Sequence, residues 1–287
     1  RAEALLAEGD GAGAVDHLVA AHRRAPDPVL EIALIDVRRR AAALLDVDPT
    51  GDGWPPRYDD PFPGLAGEIP VIDRDEVGVA VMAGAVAHHG ALIVRNLFGP
   101  EEVTAVREVI DVAHEAHAAG DTTDVGVAYR PLTTGAPTRT AALRSMVADD
   151  GGIWLADSPR ATSVAIDVLW RTGVVDVMNQ HFGARPVFSL QKSTLRRSPP
   201  VRKIVGWHQD GSFYDPGVRT MNVWVALSPC GGDRPAAGLE IVPRRMEDIL
   251  PVAGEPTKHS VSFEVVDRIA GETPTTVPTF DPGDAIV

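Results

Sequence analysis

The chain has 287 residues, 44% of them hydrophobic, enough for one sizeable core and an appendage. Its net charge of −13 argues against nucleic acid or an anionic membrane as the main partner, and its single cysteine, Cys230, excludes an internal disulfide and a thiolate metal cluster. No apolar run approaches the about 18 residues of a membrane span and no signal peptide is visible, so a cytoplasmic protein without a membrane span is expected.

Residues 1–50 are rich in alanine and leucine and read as helices. Gly9-Asp10, Ala14, Leu18, Ala21 and Pro26 have the spacing of the second half of a tetratricopeptide repeat, where small residues let two helices pack closely. One copy is visible, so a helical hairpin is the competing reading, and the segment offers a surface for protein contact. Residues 51–66 hold Pro, Gly, Asp and Trp54 without periodicity and read as a linker to a main domain over 67–287. That domain opens with a predicted helix over 75–88, a strand over 91–97, and a helix over 100–119 begun by Gly99-Pro100-Glu101-Glu102. His88 and His89 read as complements to a helix dipole, and His114 and His117 as part of a solvated helix face rather than a metal site. Arg130, Arg139 and Arg144 read as surface salt bridges before contacts to an anionic substrate. A helix over 161–182 ends at Gly183, and a strand over 186–195 places Val187, Ser189, Gln191 and Ser193 on one face. Cys230, in Pro229-Cys230-Gly231-Gly232, reads as a loop thiol.

The stretch Gly206-Trp207-His208-Gln209-Asp210-Gly211-Ser212-Phe213 places an imidazole and a carboxylate two residues apart. On extended backbone, residues i and i+2 share a face, so His208 and Asp210 can converge on one ion while Gln209 points away. One histidine and one carboxylate are two-thirds of the facial triad that holds non-haem Fe(II) with positions left open. The run over 220–227 alternates, with Met221, Val223, Val225 and Leu227 on a packed face and Thr220, Asn222 and Trp224 on a pocket face. A short strand over 238–243 follows, and Asp281-Pro282-Gly283-Asp284-Ala285-Ile286-Val287 reads as a tight turn entering another strand.

Taken in order, W-H-Q-D, N-V-W-V-A-L, G-L-E-I-V-P and P-G-D-A-I-V resemble the phytanoyl-CoA dioxygenase family, over a range from about Ile69 to Val287. The resemblance implies a mainly β fold, a jelly-roll core with helices 75–89, 100–119 and 161–182 packed outside one sheet and the N-terminal helical segment beside it. It also implies Fe(II) bound by His208 and Asp210, 2-oxoglutarate and O2 as co-substrates, and hydroxylation of a small-molecule substrate, with no catalytic residue beyond the metal ligands. Related halogenases lack the carboxylate, so Asp210 favours hydroxylation, or a desaturation variant, over halogenation. By the same resemblance Gln191, Asn222 and Trp224 line the 2-oxoglutarate pocket. The family's third ligand, a histidine, and its co-substrate-binding arginine are expected beyond Val287, so the chain reads as C-terminally incomplete, with His259 the substitute to consider inside it. The alternative is a binding protein that keeps the fold without a complete site.

Overall fold

The computed structural model describes residues 1–45, 54–120, 127–132, 144–190, 192–197, 206–214, 217–250 and 260–287. In chain order the helices used below are α1 (Ala2–Ala7), α2 (Gly11–Arg24), α3 (Pro28–Ala42), α4 (Val79–His89), α5 (Pro100–Ala119), α6 (Pro159–Arg171), α7 (Val174–Phe182) and α8 (Phe263–Ala270). The strands are β1 (Val71–Asp73), β2 (Ile93–Arg95), β3 (Gly152–Trp154), β4 (Thr194–Arg196), β5 (Trp224–Val225) and β6 (Ala285–Ile286). The chain divides into two compact units.

The first unit comprises Arg1–Asp48, Thr104–Val168 and Val187–Pro199. Its N-terminal part is three helices. The Asp10 carboxylate caps α2 by accepting from Gly13 N at 2.7 Å, and Asp27 caps α3 by accepting from Val29 N at 2.8 Å, with Pro28 in the first turn. Leu6, Ala14 and Val37 are buried between them. A Cβ on Gly11 would stand 2.9 Å from the Ala41 Cα, so the missing side chain lets α2 and α3 approach. Strands β3 and β4 pair antiparallel, Ile153 opposite Leu195. Next to them the Asp157 carboxylate is fully buried. It accepts from Arg144 Nε at 2.7 Å, Arg144 Nη2 at 2.9 Å and Leu132 N at 2.8 Å. Arg144 is therefore an interior partner, its guanidinium also lying 4.9 Å from the Trp154 ring, and not a surface charge. Arg139 lies outside the described residues. His114 and His117 also turn inward. His114 Nε2 donates to the Leu195 carbonyl at 3.2 Å, and the His117 ring meets Tyr129 edge-on at 4.7 Å. Desolvation, the largest influence on it, holds the His114 pKa below its ordinary value.

The second unit comprises Pro49–Val103, Leu169–Pro186 and Pro200–Val287. Its sheet has the order β1-β2-β6-β5. β1 and β2 are parallel and joined through α4; β6 runs antiparallel to both β2 and β5, with Ile286 opposite Ile93 on one side and Trp224 on the other. Ala91, Ile93, Ala226, Cys230, Phe280 and Ile286 form its core. Cys230 is thus a core thiol, its pKa raised chiefly by burial. The turn into β6 is pinned by Asp284, whose carboxylate accepts from Arg95 Nη1 at 2.6 Å, Asp281 N at 2.8 Å and Asn96 N at 3.0 Å. Gly283 has φ 100°, and a Cβ there would collide with the Phe98 carbonyl oxygen.

The stretch read as a linker is held by histidines at two helix ends. His88 Nε2 donates to the Tyr58 carbonyl at 2.8 Å, His89 Nε2 lies 2.9 Å from Asp60 Oδ1, and His181 Nδ1 lies 3.2 Å from the Tyr58 hydroxyl. The α4 end itself is closed by Gly90 at φ 81°, so His88 and His89 act on this neighbouring segment rather than as caps.

The mainly β jelly roll is not what the chain forms. Among the described residues 46% are helical and about 10% are in strands or bridges, in sheets of four and two strands. Among the described residues, the expected strand over 220–227 enters the sheet only at Trp224–Val225, 186–195 contributes only Thr194 and Leu195, and 238–243 makes a single bridge, Ile241 to Thr276. Alternation reports which face is buried; it does not place a hydrogen-bonding neighbour alongside. Pro229 and the left-handed Gly231 (φ 78°) and Gly232 (φ 54°) turn the backbone away soon after β5. The single helix expected over 161–182 is two, α6 and α7, divided at Gly173 with φ 80°.

Candidate metal centre

His208 and Asp210 converge as the triplet predicts: His208 Nε2 lies 3.5 Å from Asp210 Oδ1. The local backbone explains it. His208 makes an antiparallel bridge to Ser260, and Trp207 O accepts from Val261 N at 2.7 Å, so the chain is extended as it enters the triplet. Gln209 continues extended (φ −109°, ψ 130°), and Asp210 then opens the 3-10 turn Asp210–Phe213. Gln209 points its amide to the other side, where it bonds the backbone of Asp248 and Leu250.

Two groups orient the pair. His208 Nδ1 donates to the Gly206 carbonyl at 2.8 Å, so a neutral ring carries its proton on Nδ1 and has the Nε2 lone pair for a metal. Asn222 Nδ2 donates to Asp210 Oδ2, so the other oxygen, Oδ1, is the one that faces His208. The Phe213 ring meets the imidazole edge-on, centroids 5.4 Å apart. The side chains of His208 and Asp210 remain 35% and 50% exposed, so a ligand can reach them.

The donor set fits a divalent first-row metal. An ion about 2.1 Å from each donor, a usual length for imidazole and carboxylate ligands, reaches both, because 3.5 Å is less than twice that length. Neutral imidazole with carboxylate suits Fe(II). Among the described residues no group of three or more His, Cys, Asp or Glu could hold a metal, so the described contribution is two donors.

The other expected site residues divide. Asn222 joins the pair through Asp210. Trp224 packs its ring 5.0 Å from Phe280 against the sheet's core cluster. Gln191 and His259 lie outside the described residues. The Gly206 carbonyl, which sets the imidazole tautomer, was missed, because a backbone acceptor leaves no residue-type signal. Phe213 was read only as the end of the stretch that carries the triplet, and its edge-on contact with His208 was not foreseen.

No helix among the described residues is long and apolar enough to cross a membrane. Neither a curated protein nor a solved structure matches the chain. The family phytanoyl-CoA dioxygenase (PhyH) matches residues 86–243. That range is more than half of the sequence and contains His208, Asp210 and Asn222, so the chain belongs to the phytanoyl-CoA dioxygenase family.

Proposed function

We propose that this protein is an Fe(II)- and 2-oxoglutarate-dependent dioxygenase that hydroxylates a C–H bond of a small molecule. The observation that carries the reading is the His208–Asp210 pair, two oriented donors 3.5 Å apart in a chain of this family. Iron(II) bound there, with 2-oxoglutarate and O2, supplies the oxidising chemistry. The chain's own residues prepare it. His208 offers Nε2 as a neutral donor because the Gly206 carbonyl holds the proton on Nδ1. Asp210 offers Oδ1 while the Asn222 amide occupies Oδ2, which stops the carboxylate from rotating. Phe213 covers one edge of the imidazole and limits water there. A third donor comes from outside the described residues, and Trp224 contacts the co-substrate in this reading. Residues 67–287 carry the oxygenase, and the helices of 1–50 offer a contact to another protein.

The test is succinate release with Fe(II), ascorbate, 2-oxoglutarate and O2. The parent protein turns over in an iron-dependent manner, and His208→Ala loses at least about 100-fold, as expected when a ligand is removed and not merely reoriented. A parent-level rate in His208→Ala refutes the assignment. An iron-dependent rate of zero in the parent across a panel of small substrates favours the binding-protein alternative.

A further inference from the structure

We infer that Gln209 is a positioning residue: its side-chain amide clasps the backbone of 248–250 and thereby holds the turn that presents His208 and Asp210. The inference rests on the metal reading above and extends it to a residue that touches neither ion nor substrate.

Gln209 stands between the two donors and points to the opposite side. Its Oε1 accepts from Leu250 N at 2.7 Å and its Nε2 donates to Asp248 O at 3.1 Å. A primary amide that accepts from one backbone group and donates to another two residues away imitates the edge of a neighbouring strand. Between those two bonds lies Ile249, whose Cδ1 would be 3.0 Å from a Cβ on Gly211. The segment therefore rests on the turn that follows Asp210, and that turn leaves room for it by having glycine there. On the chain's entry to the triplet, Val261 N donates to Trp207 O and Ser260 bridges His208. The donor triplet is thus tied to backbone both at 260–261 and at 248–250, and Gln209 supplies two hydrogen bonds of the second tie. Without it, the extended conformation at residue 209 that brings His208 and Asp210 to one side keeps only the tie at 260–261 and the local turn bonds to hold it.

Mn(II), which takes iron's ligands without oxygen chemistry, is the probe. Its binding to the parent, Gln209→Ala, Gln209→Glu and His208→Ala is followed by electron paramagnetic resonance, and exchange of the Leu250 amide proton by mass spectrometry or NMR. The expected result for Gln209→Ala is affinity weakened about 10–100-fold, the range for groups that orient metal ligands, with a broadened bound-Mn(II) spectrum and faster Leu250 exchange. Gln209→Glu keeps an acceptor for Leu250 N but cannot donate to Asp248 O, so it keeps Leu250 protected and loses a smaller part of the affinity. Should the alanine variant not fold, the glutamate variant carries the same comparison. Mn(II) binding by the folded alanine variant within twofold of the parent, with the parent spectrum, overturns the inference. Equal binding by the parent and His208→Ala instead overturns the metal assignment, and the role of Gln209 falls with it.

Discussion

Asp284→Ala tests whether the turn into β6 is held as the structure describes. The carboxylate is 2% exposed and accepts three hydrogen bonds, one from the Arg95 guanidinium and two from backbone N–H groups of Asn96 and Asp281. Truncation leaves all three donors without that acceptor. Removing one partner of a buried ion pair costs about 3–5 kcal/mol, and each orphaned buried N–H costs about 1–3 kcal/mol. These do not sum. Arg95 is 31% exposed and regains water, and the space left by the carboxylate admits solvent to the turn. The expected loss is therefore about 3–5 kcal/mol in total, a large part of the roughly 5–15 kcal/mol that keeps a typical domain folded. Asp284→Asn retains one carbonyl acceptor and should lose roughly half as much. Urea unfolding followed by tryptophan fluorescence measures both, with the slope unchanged so that midpoints report stability. A loss below about 1 kcal/mol for the alanine variant, or equal losses for the two, refutes the reasoning.

Gly283→Ala should cost at least about 2 kcal/mol, since it combines a left-handed backbone with a clash against the Phe98 carbonyl; a melting temperature equal to the parent's contradicts this. Burial keeps the pKa of His181 below its ordinary 6.5, so the unfolded chain takes up the proton first. Its contribution to stability is present above pH 6.5 and is lost as pH falls from there through the lower folded-state value. Melts between pH 7.5 and 5 should show that decline, flattened in His181→Gln. Cys230, buried and with its thiol pKa raised by desolvation, should react with Ellman's reagent only slowly until urea is added; rapid labelling of the folded protein counts against its place in the core.

What the sequence announced well was local. Gly99-Pro100-Glu101-Glu102 predicted the start of α5, and Glu102 Oε2 indeed accepts from Gly99 N at 2.8 Å. Gly183, at φ 64°, ends α7 as expected. The H-Q-D triplet was legible for the same reason: two residues on one extended segment need no distant partner to share a face. The sheet depends on pairings between residues far apart in sequence. Alternation over 220–227 could not say that only Trp224 and Val225 find a ladder partner, in β6. His114 was misread because periodicity shows which helix faces exist, but not that Leu195 would lie against this one. Asn222 was assigned to a pocket face by alternation. Its partner, Asp210, becomes visible only when the turn Asp210–Phe213 is seen to fold back toward it.

The position of β6 between β2 and β5 bears on how the chain acquires its structure. Arg95 and Asp284, which join β2 to the turn before β6, are separated by 189 residues. β2 and β5 share no hydrogen bonds with each other; each pairs with β6. During synthesis α1, α2 and α3 can close their own small core early, because their contacts are short in sequence. Three of the sheet's four strands, by contrast, must wait for residues 285–286 before the middle of the sheet exists, with Ile93 and Trp224 lacking their common partner until then. The sheet of the unit that carries the candidate metal centre thus closes later than the α1–α3 core, and the interval before closure is when its unpaired strand edges are open to wrong partners.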